Sequence, residues 1–210
     1  MIRVGCCGFA GGRAKYFRAF SVVEVQQTFY QPPRLETLAR WREEVPPAFE
    51  FTVKGWQIIT HEATSPTYRR LRACLSEKER REAGAFRSSP VVLRAWETTC
   101  QAARVLRADK VLFQCPASFL PTEENGERMR QFFGRIDRQG LRLIWEPRGR
   151  WAHREIAALC EELDLVHCVD PFTAKAATGG LQYYRLHGAG SYRYTYSADE
   201  LRELADSGTL

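Results

Sequence analysis

Residues 140–151 read G-L-R-L-I-W-E-P-R-G-R-W. Leu141, Leu143 and Trp145 alternate with Arg142, Ile144 and Glu146, the period of a strand, and Pro147 with Gly149 stops it just beyond Glu146. The predicted strand therefore ends on a carboxylate. Arg148 follows two residues later, close enough to share a ligand with Glu146 or to hold it in a bidentate pair. Taken alone, a strand-end ion pair that orders a loop explains this stretch equally well. The two readings separate on whether the other strands also end on polar groups.

They do. The first predicted strand is 2–7, followed by a glycine-rich turn at 8–12 that lacks the spacing of a dinucleotide fingerprint and leads into no clean helix. The second, 22–30, puts Glu24, Gln26 and Thr28 on one face, where a carboxylate among apolar neighbours needs a partner. The third, 49–54, has Glu50, Thr52 and Lys54 on one face and ends on the lysine, and the fourth, 111–115, carries Gln114 just before Pro116. The sixth, 165–170, ends on Asp170 before Pro171, and the seventh, 181–187, places Tyr183, Arg185 and His187 on one face. Cys6 and Cys7 also lie at a strand end, where they would face a pocket.

Amphipathic helices are predicted between these strands. Leu35, Leu38, Trp41 and Val45 mark one, residues 91–106 a second, Met129 to Ile136 a third and Ile156 to Leu163 a fourth, while Ser197 and Glu200 form a capping box for a last one. Residues 68–87, rich in arginine and glutamate, read as a solvated helical excursion, so the connection after the third strand is enlarged and suits a cover over the pocket. The expected organisation is a single domain, 1–210, with a helical insertion at about 65–90. Strict alternation implies a parallel sheet and favours an α/β fold of the (β/α) TIM-like barrel type over an open doubly wound sheet. In a barrel all strand C-termini converge on one mouth, so Glu24, Lys54, Gln114, Glu146, Arg148, Asp170, Arg185 and His187 are expected to share one pocket.

Composition bounds the rest. With 210 residues, 44% of them hydrophobic, the chain can bury a sizeable core and is not mainly disordered. No apolar run approaches the roughly 20 residues of a membrane span, and the start M-I-R-V-G lacks the apolar segment of a signal peptide, so a cytoplasmic location without membrane partners is expected. Seven cysteines without a C-x-x-C pair favour neither a disulfide framework nor a thiolate zinc site. A charge of +6 permits an acidic partner, a weak signal because much of the arginine excess lies in one segment.

Several of these stretches carry a resemblance. V-E-V-Q-Q-T-F-Y-Q-P-P (23–33), F-E-F-T-V-K (49–54) with I-T-H (59–61), V-L-F-Q-C-P (111–116), W-E-P-R (145–148), V-D-P (169–171) and Y-Y-R-L-H-G (183–188) resemble, in order, the YecE-like family, a domain of unknown function numbered 72. The resemblance implies a TIM-type barrel with a polar pocket at the strand C-termini and no settled activity. Cys6, Cys7 and Phe9 stand where many members have a small polar pair and a tryptophan, and Gln26 stands where they have asparagine. Members also continue into an eighth strand and a closing helix past the position of Leu210. The expectation is therefore seven strands with the eighth missing at the C-terminus, by truncation in preference to a gap filled by a neighbouring strand or subunit.

The expected chemistry is acid/base, isomerase- or hydrolase-like, on a small polar or anionic molecule of sugar or phosphate type. Glu146 or Glu24 is the expected base, His187 and less directly His61 the proton-transfer group near neutral pH, and Lys54, Gln114, Arg148, Asp170 and Arg185 the substrate-binding set. Glu24, Glu146, Asp170 and His187 are ligand types that admit a divalent metal, but no short motif such as H-E-x-x-H occurs and no cofactor is assigned. The competing classes are a nucleic-acid-binding or nuclease-like barrel, with Trp56, Tyr68, Tyr192, Tyr194 and Tyr196 available to stack on bases, and a non-catalytic ligand-binding barrel. Oligomeric state is left open. Because Pro147 and Gly149 fix the loop without the ion pair and several cations crowd the mouth, Glu146→Gln is expected to be nearly neutral or slightly stabilising.

Overall fold

In the computed structural model, which describes residues 2–188 and 193–206, the alternation builds a single curled sheet. Its strands are β1 (Gly5–Cys7), β2 (Val22–Val25), β3 (Glu50–Lys54), β4 (Lys110–Gln114), β5 (Arg142–Glu146), β6 (Val166–Val169) and β7 (Tyr183–Tyr184). They pair in chain order and every pairing is parallel. The helices are α1 (Arg13–Ala19), α2 (Gln27–Tyr30), α3 (Leu35–Glu43), α4 (Gln57–Thr60), α5 (Glu77–Glu82), α6 (Pro90–Leu106), α7 (Glu123–Arg135), α8 (His153–Glu162) and α9 (Ala198–Asp206). Curling brings the last strand back towards the first two: Tyr183 Oη donates to Glu24 across 2.9 Å, and Arg185 Nη2 lies 3.2 Å from Cys7 Sγ. The result is a TIM-like barrel wall, incomplete between β7 and β1 among the described residues.

Period-two patterning sorts the strand residues onto two faces. Val23, Val25, Phe51, Val53, Val111, Phe113, Leu143 and Trp145 point outward and pack with Leu38, Trp41, Val92, Trp96, Phe132 and Leu159 of the surrounding helices into one large core. Each such fully buried side chain contributes about 1.5–3 kcal/mol. Inside the wall, Leu112, Ile144 and Cys168 form a smaller apolar plug with Val166 and Tyr183 packed on it. The polar strand ends sit on top of this plug and cannot sink further into the barrel. Helix α7 is held at its start by Thr122, whose side chain accepts from Asn125 N at 3.2 Å. Thr122→Ala is expected to cost about 1 kcal/mol in thermal unfolding, and an unchanged melting temperature would show that the cap contributes nothing.

Several sequence expectations are corrected. A helix, α1, does follow the glycine-rich turn, and its Tyr16 is buried, with Oη accepting from Cys6 N at 2.7 Å and donating to Val22 O at 2.8 Å. The second strand ends at Val25 instead of residue 30, and Gln27–Tyr30 makes one helical turn. Thr28 explains the change: its hydroxyl lies 2.7 Å from the carbonyl oxygens of both Val25 and Lys54, so it bonds local backbone where the strand reading left it on a face. Strands β1 and β7 are shorter than predicted.

The excursion at 68–87 is solvated and helical only in part. It contains a 3-10 turn, Pro66–Arg70, and the short α5, then dives inward. Gly84 turns the chain at φ +84°, where an added Cβ would meet the His61 backbone at 2.4 Å, and Phe86 is delivered into a cluster with Phe113, Phe119, Phe132 and Phe133. Inward charges are not confined to strand C-termini either. Glu50, at the opposite end of β3, pairs with Lys110 at 2.8 Å and Arg3 at 3.1 Å. Among the described residues no helix is long and apolar enough to cross a membrane.

Candidate functional site

Strand register places the inward side chains nearest the C-terminal rim in one layer. Glu24 on β2, Lys54 on β3, Gln114 on β4 and Glu146 on β5 all face inward, and Arg185 and His187 follow β7 on the same face. The two glutamines bridge the charges. Gln114 donates from Nε2 to Glu146 at 3.0 Å and accepts at Oε1 from Lys54 at 2.8 Å. Gln26 donates to Glu24 and accepts from Lys54 at 3.4 Å. A continuous chain thus runs Glu24, Gln26, Lys54, Gln114, Glu146.

Arg185 closes the chain into a ring. It is buried, with Nη1 2.5 Å from Glu146 Oε2 and Nε 3.1 Å from Glu24 Oε2, the latter contact being close but not aligned as a hydrogen bond. Burial alone would lower its pKa; the charges of Glu24 and Glu146 more than reverse this and hold it above its ordinary value. Glu146, only 3% exposed, takes two more donors on its other oxygen, Arg148 Nη1 at 3.1 Å and His187 Nε2 at 3.0 Å. Burial pushes its carboxyl up, but the His187 hydrogen bond, the Arg185 charge and the bonds from Gln114 and Arg148 together hold it at about 2. It is ionised throughout the neutral range. Lys54, with its ammonium 4.2 Å from the centre of the Phe29 ring, is brought down to about 8 by burial and by Arg185.

The exposed edge of this layer opens into a cavity of about 530 Å³ between the ends of β5 and β6 and the start of α8, a size suited to a small molecule. Glu146, Arg148, Asp170 and His187 line it, while Glu24, Lys54, Gln114 and Arg185 form the layer behind. Arg148 is the outermost cation, its side chain 39% exposed. The loop that carries it is pressed onto the loop after β4, where a Cβ on Gly149 would fall 2.3 Å from Phe119 O. Trp151 anchors the same loop by stacking on Phe119 and donating to its carbonyl at 2.8 Å. Asp170 accepts from the backbone of Phe172 at 3.0 Å and of His187 at 2.8 Å, so it positions the strand end that bears the imidazole.

Of the eight residues expected to share one pocket, Glu146, Arg148, Asp170 and His187 line the cavity, and Glu24, Lys54, Gln114 and Arg185 are linked to them by hydrogen bonds and ion pairs in the layer behind it. The sequence reading put Gln26 and Tyr183 on the faces of Glu24 and Arg185 and Cys7 at a pocket-facing strand end, but did not include them in the expected site set. His61 lies outside the cavity: it is buried behind Lys54 against Phe29, its pKa lowered to about 4 by burial and by Lys54. Of the aromatics considered for base stacking, Tyr68 is buried and donates to His61 O, Tyr196 is stacked on Phe172, and Tyr192 lies outside the described residues. Among the described residues no group of three or more His, Cys, Asp or Glu is arranged to hold a metal ion, and Glu24 and Glu146 share Arg185 instead.

Comparison with known proteins agrees with this architecture. Residues 12–208 match the family described as "Protein of unknown function DUF72". The chain belongs to the DUF72 family. A DUF72 family protein of Enterococcus faecalis V583 is similar in structure with a TM-score of 0.73 at 21% identity, covering 99% of this chain and 84% of that one. A DUF72 family protein of Thermotoga maritima MSB8 gives a TM-score of 0.63 at 18% identity, covering 97% of this chain and 85% of that one. At these identities the likeness shows the fold of the DUF72 domain. No curated protein matches the chain by sequence.

Proposed function

We propose that the mouth of this DUF72 barrel is an active site for acid/base chemistry on a small polar or anionic molecule. The observation that carries the reading is the position of His187: its Nε2 lies 3.0 Å from Glu146 Oε1, its backbone N–H is held by Asp170, and its ring forms part of the cavity wall. An ionised carboxylate at that distance favours the tautomer with the proton on Nε2, which leaves the Nδ1 lone pair as the base. When Nδ1 takes a proton from substrate, the adjacent Glu146 carboxylate stabilises the imidazolium. Arg148 Nη1 lies 2.8 Å from the same Nε2 and, being only a donor, opposes that tautomer until it turns away, which an incoming anion would draw it to do. Glu146 and Glu24, expected from the sequence as bases, are reassigned here to setting charge and position: Glu146 because a carboxylate held at about 2 is a weak base, and Glu24 because it lies in the layer behind the cavity, occupied by Arg185, Gln26 and Tyr183.

The test uses a panel of sugar phosphates, hydroxy acids and polyols incubated with the full chain in D2O, with solvent-proton exchange and product formation followed by NMR. Turnover of a panel member should fall about 10²–10⁴-fold in His187→Gln, with the melting temperature changed little because glutamine keeps an N–H donor for Glu146. Arg148→Ala should weaken binding of the anionic members about 10-fold or more, as expected for a charge-assisted contact of about 1.5–3 kcal/mol. Saturable binding without turnover would identify a ligand-binding barrel instead, and no binding at all would end the proposal.

A further inference from the structure

One wall of the cavity is made by a residue that the proposed chemistry does not use. His167, on the outward face of β6, is 4% exposed and lines the cavity together with His153, Trp151, Ile156, Thr173 and Ala174. An imidazole buried this deeply among apolar side chains needs its polar atoms satisfied. Half of that requirement is met by the loop after β6. The backbone N–H of Ala177 donates to His167 Nδ1 at 3.0 Å, and Thr178 Oγ1 accepts from the His167 backbone N–H at 3.1 Å.

The first of these contacts decides the tautomer. A peptide N–H can only donate, so Nδ1 must be the unprotonated nitrogen and the ring proton must sit on Nε2. Burial and the neighbouring His153 lower the ring's pKa to about 4, so it is uncharged at neutral pH. Nε2–H is therefore a single, fixed donor, and among the described residues it has no hydrogen-bond partner. Nε2 is not among the fully buried side-chain atoms that lack a partner, so the donor opens onto the cavity, where a ligand oxygen can accept from it in place of water. A neutral imidazole suits an uncharged oxygen, because it adds no charge and offers one direction.

We propose that His167 forms a second subsite of the same cavity, donating Nε2–H to a hydroxyl or carbonyl oxygen of a ligand whose anionic end sits at Arg148. The assignment rests on the reading of Arg148 and His187 given above and narrows its substrate class: the ligand carries an uncharged oxygen as well as an anionic group. It also explains why the β6–β7 loop folds back to hold an imidazole that contributes little to the outward-facing core. Phenylalanine would fill the same volume without needing the loop.

The experiment uses the full chain with ¹⁵N-labelled histidine, glycerol 3-phosphate as the two-ended probe and inorganic phosphate as the anion alone. Long-range ¹H–¹⁵N spectra of the free protein should show His167 protonated at Nε2 only; a proton on Nδ1 would overturn the inference outright. Glycerol 3-phosphate should shift His167 Nε2, while inorganic phosphate should shift His187 and leave His167 in place. His167→Phe should weaken glycerol 3-phosphate about 10-fold or more and change phosphate affinity less than about 2-fold, because one buried hydrogen bond is at stake. His167→Gln, which keeps a donor near Nε2, should recover part of the loss and controls for damage to the fold.

The outcomes separate the two proposals. If both probes move His187 and neither moves His167, the subsite is wrong and the reading of the mouth stands. If His167 responds but Arg148→Ala leaves both affinities unchanged, the subsite stands and the anion site is misplaced. If neither probe binds, both are wrong.

Discussion

Arg185→Met should lower the melting temperature by about 10 °C at pH 7, the largest loss expected from a single change in the polar layer. The guanidinium is buried, 2.5 Å from Glu146 and 3.1 Å from Glu24, and it also reaches Cys7 at 3.2 Å. Methionine fills a similar volume but supplies no charge, so two carboxylates remain buried with Lys54, the neutral donors Gln26 and Tyr183 on Glu24, and the remaining donors of Glu146 to oppose them. Breaking one side of a buried ion pair costs about 3–5 kcal/mol, and in a domain of this size each kcal/mol moves the melting temperature by roughly 2–4 °C. Arg185→Lys should recover only part, because a single ammonium cannot replace a fork that spans two carboxylates. Acid should relieve the damage. With Arg185 gone, Glu146 loses one of the groups that hold its carboxyl at about 2, so the wild type's advantage, full above about 4.5, should narrow as pH falls towards about 2. A loss of less than about 3 °C at pH 7 would show that the ring of contacts is not what holds this end of the barrel.

The strand ends were legible because period-two alternation assigns every other residue to one face, and a parallel barrel brings those faces to one mouth. Lys54, Gln114, Glu146 and Arg185 could therefore be grouped from local pattern alone. Their depth could not. Glu146 receives Gln114 from 32 positions away and Arg185 from 39, and nothing in W-E-P-R says whether such donors arrive or water does. His167 was invisible for a related reason: it sits at an outward position of an apolar strand, and the amide that sets its tautomer belongs to Ala177, ten residues on. Where local chemistry competes with periodicity, the pattern misled. Thr28 looks like a strand residue by composition, yet its hydroxyl closes a helical turn; Phe86 follows a run of charges, yet Gly84 turns it into the core.

The same long-range donors argue against the nearly neutral or slightly stabilising outcome expected for Glu146→Gln from the sequence. Four groups converge on this one buried carboxylate: Arg185, Gln114, Arg148 and His187. Holding its carboxyl at about 2 in place of the ordinary 4.5 corresponds to about 3 kcal/mol of stability that depends on the charge. Glutamine removes that charge and turns one acceptor into a donor facing Gln114 and Arg185, or Arg148 and His187, so it cannot satisfy all four. Glu146→Gln is therefore expected to lose about 3 kcal/mol, less than Arg185→Met because one anion removed among several cations leaves Glu24 still paired with Arg185. The pH profile gives the prediction its sign. A depressed carboxyl stabilises fully above about 4.5 and loses that contribution as pH falls towards about 2. The gap in melting temperature between wild type and Glu146→Gln should accordingly be constant from pH 7 to 5 and close progressively below 4.5. If the two proteins melt together at pH 6, Pro147 and Gly149 do fix the loop unaided and the four contacts are incidental. A gap that persists unchanged at pH 3 would instead place the loss in packing and not in the charge.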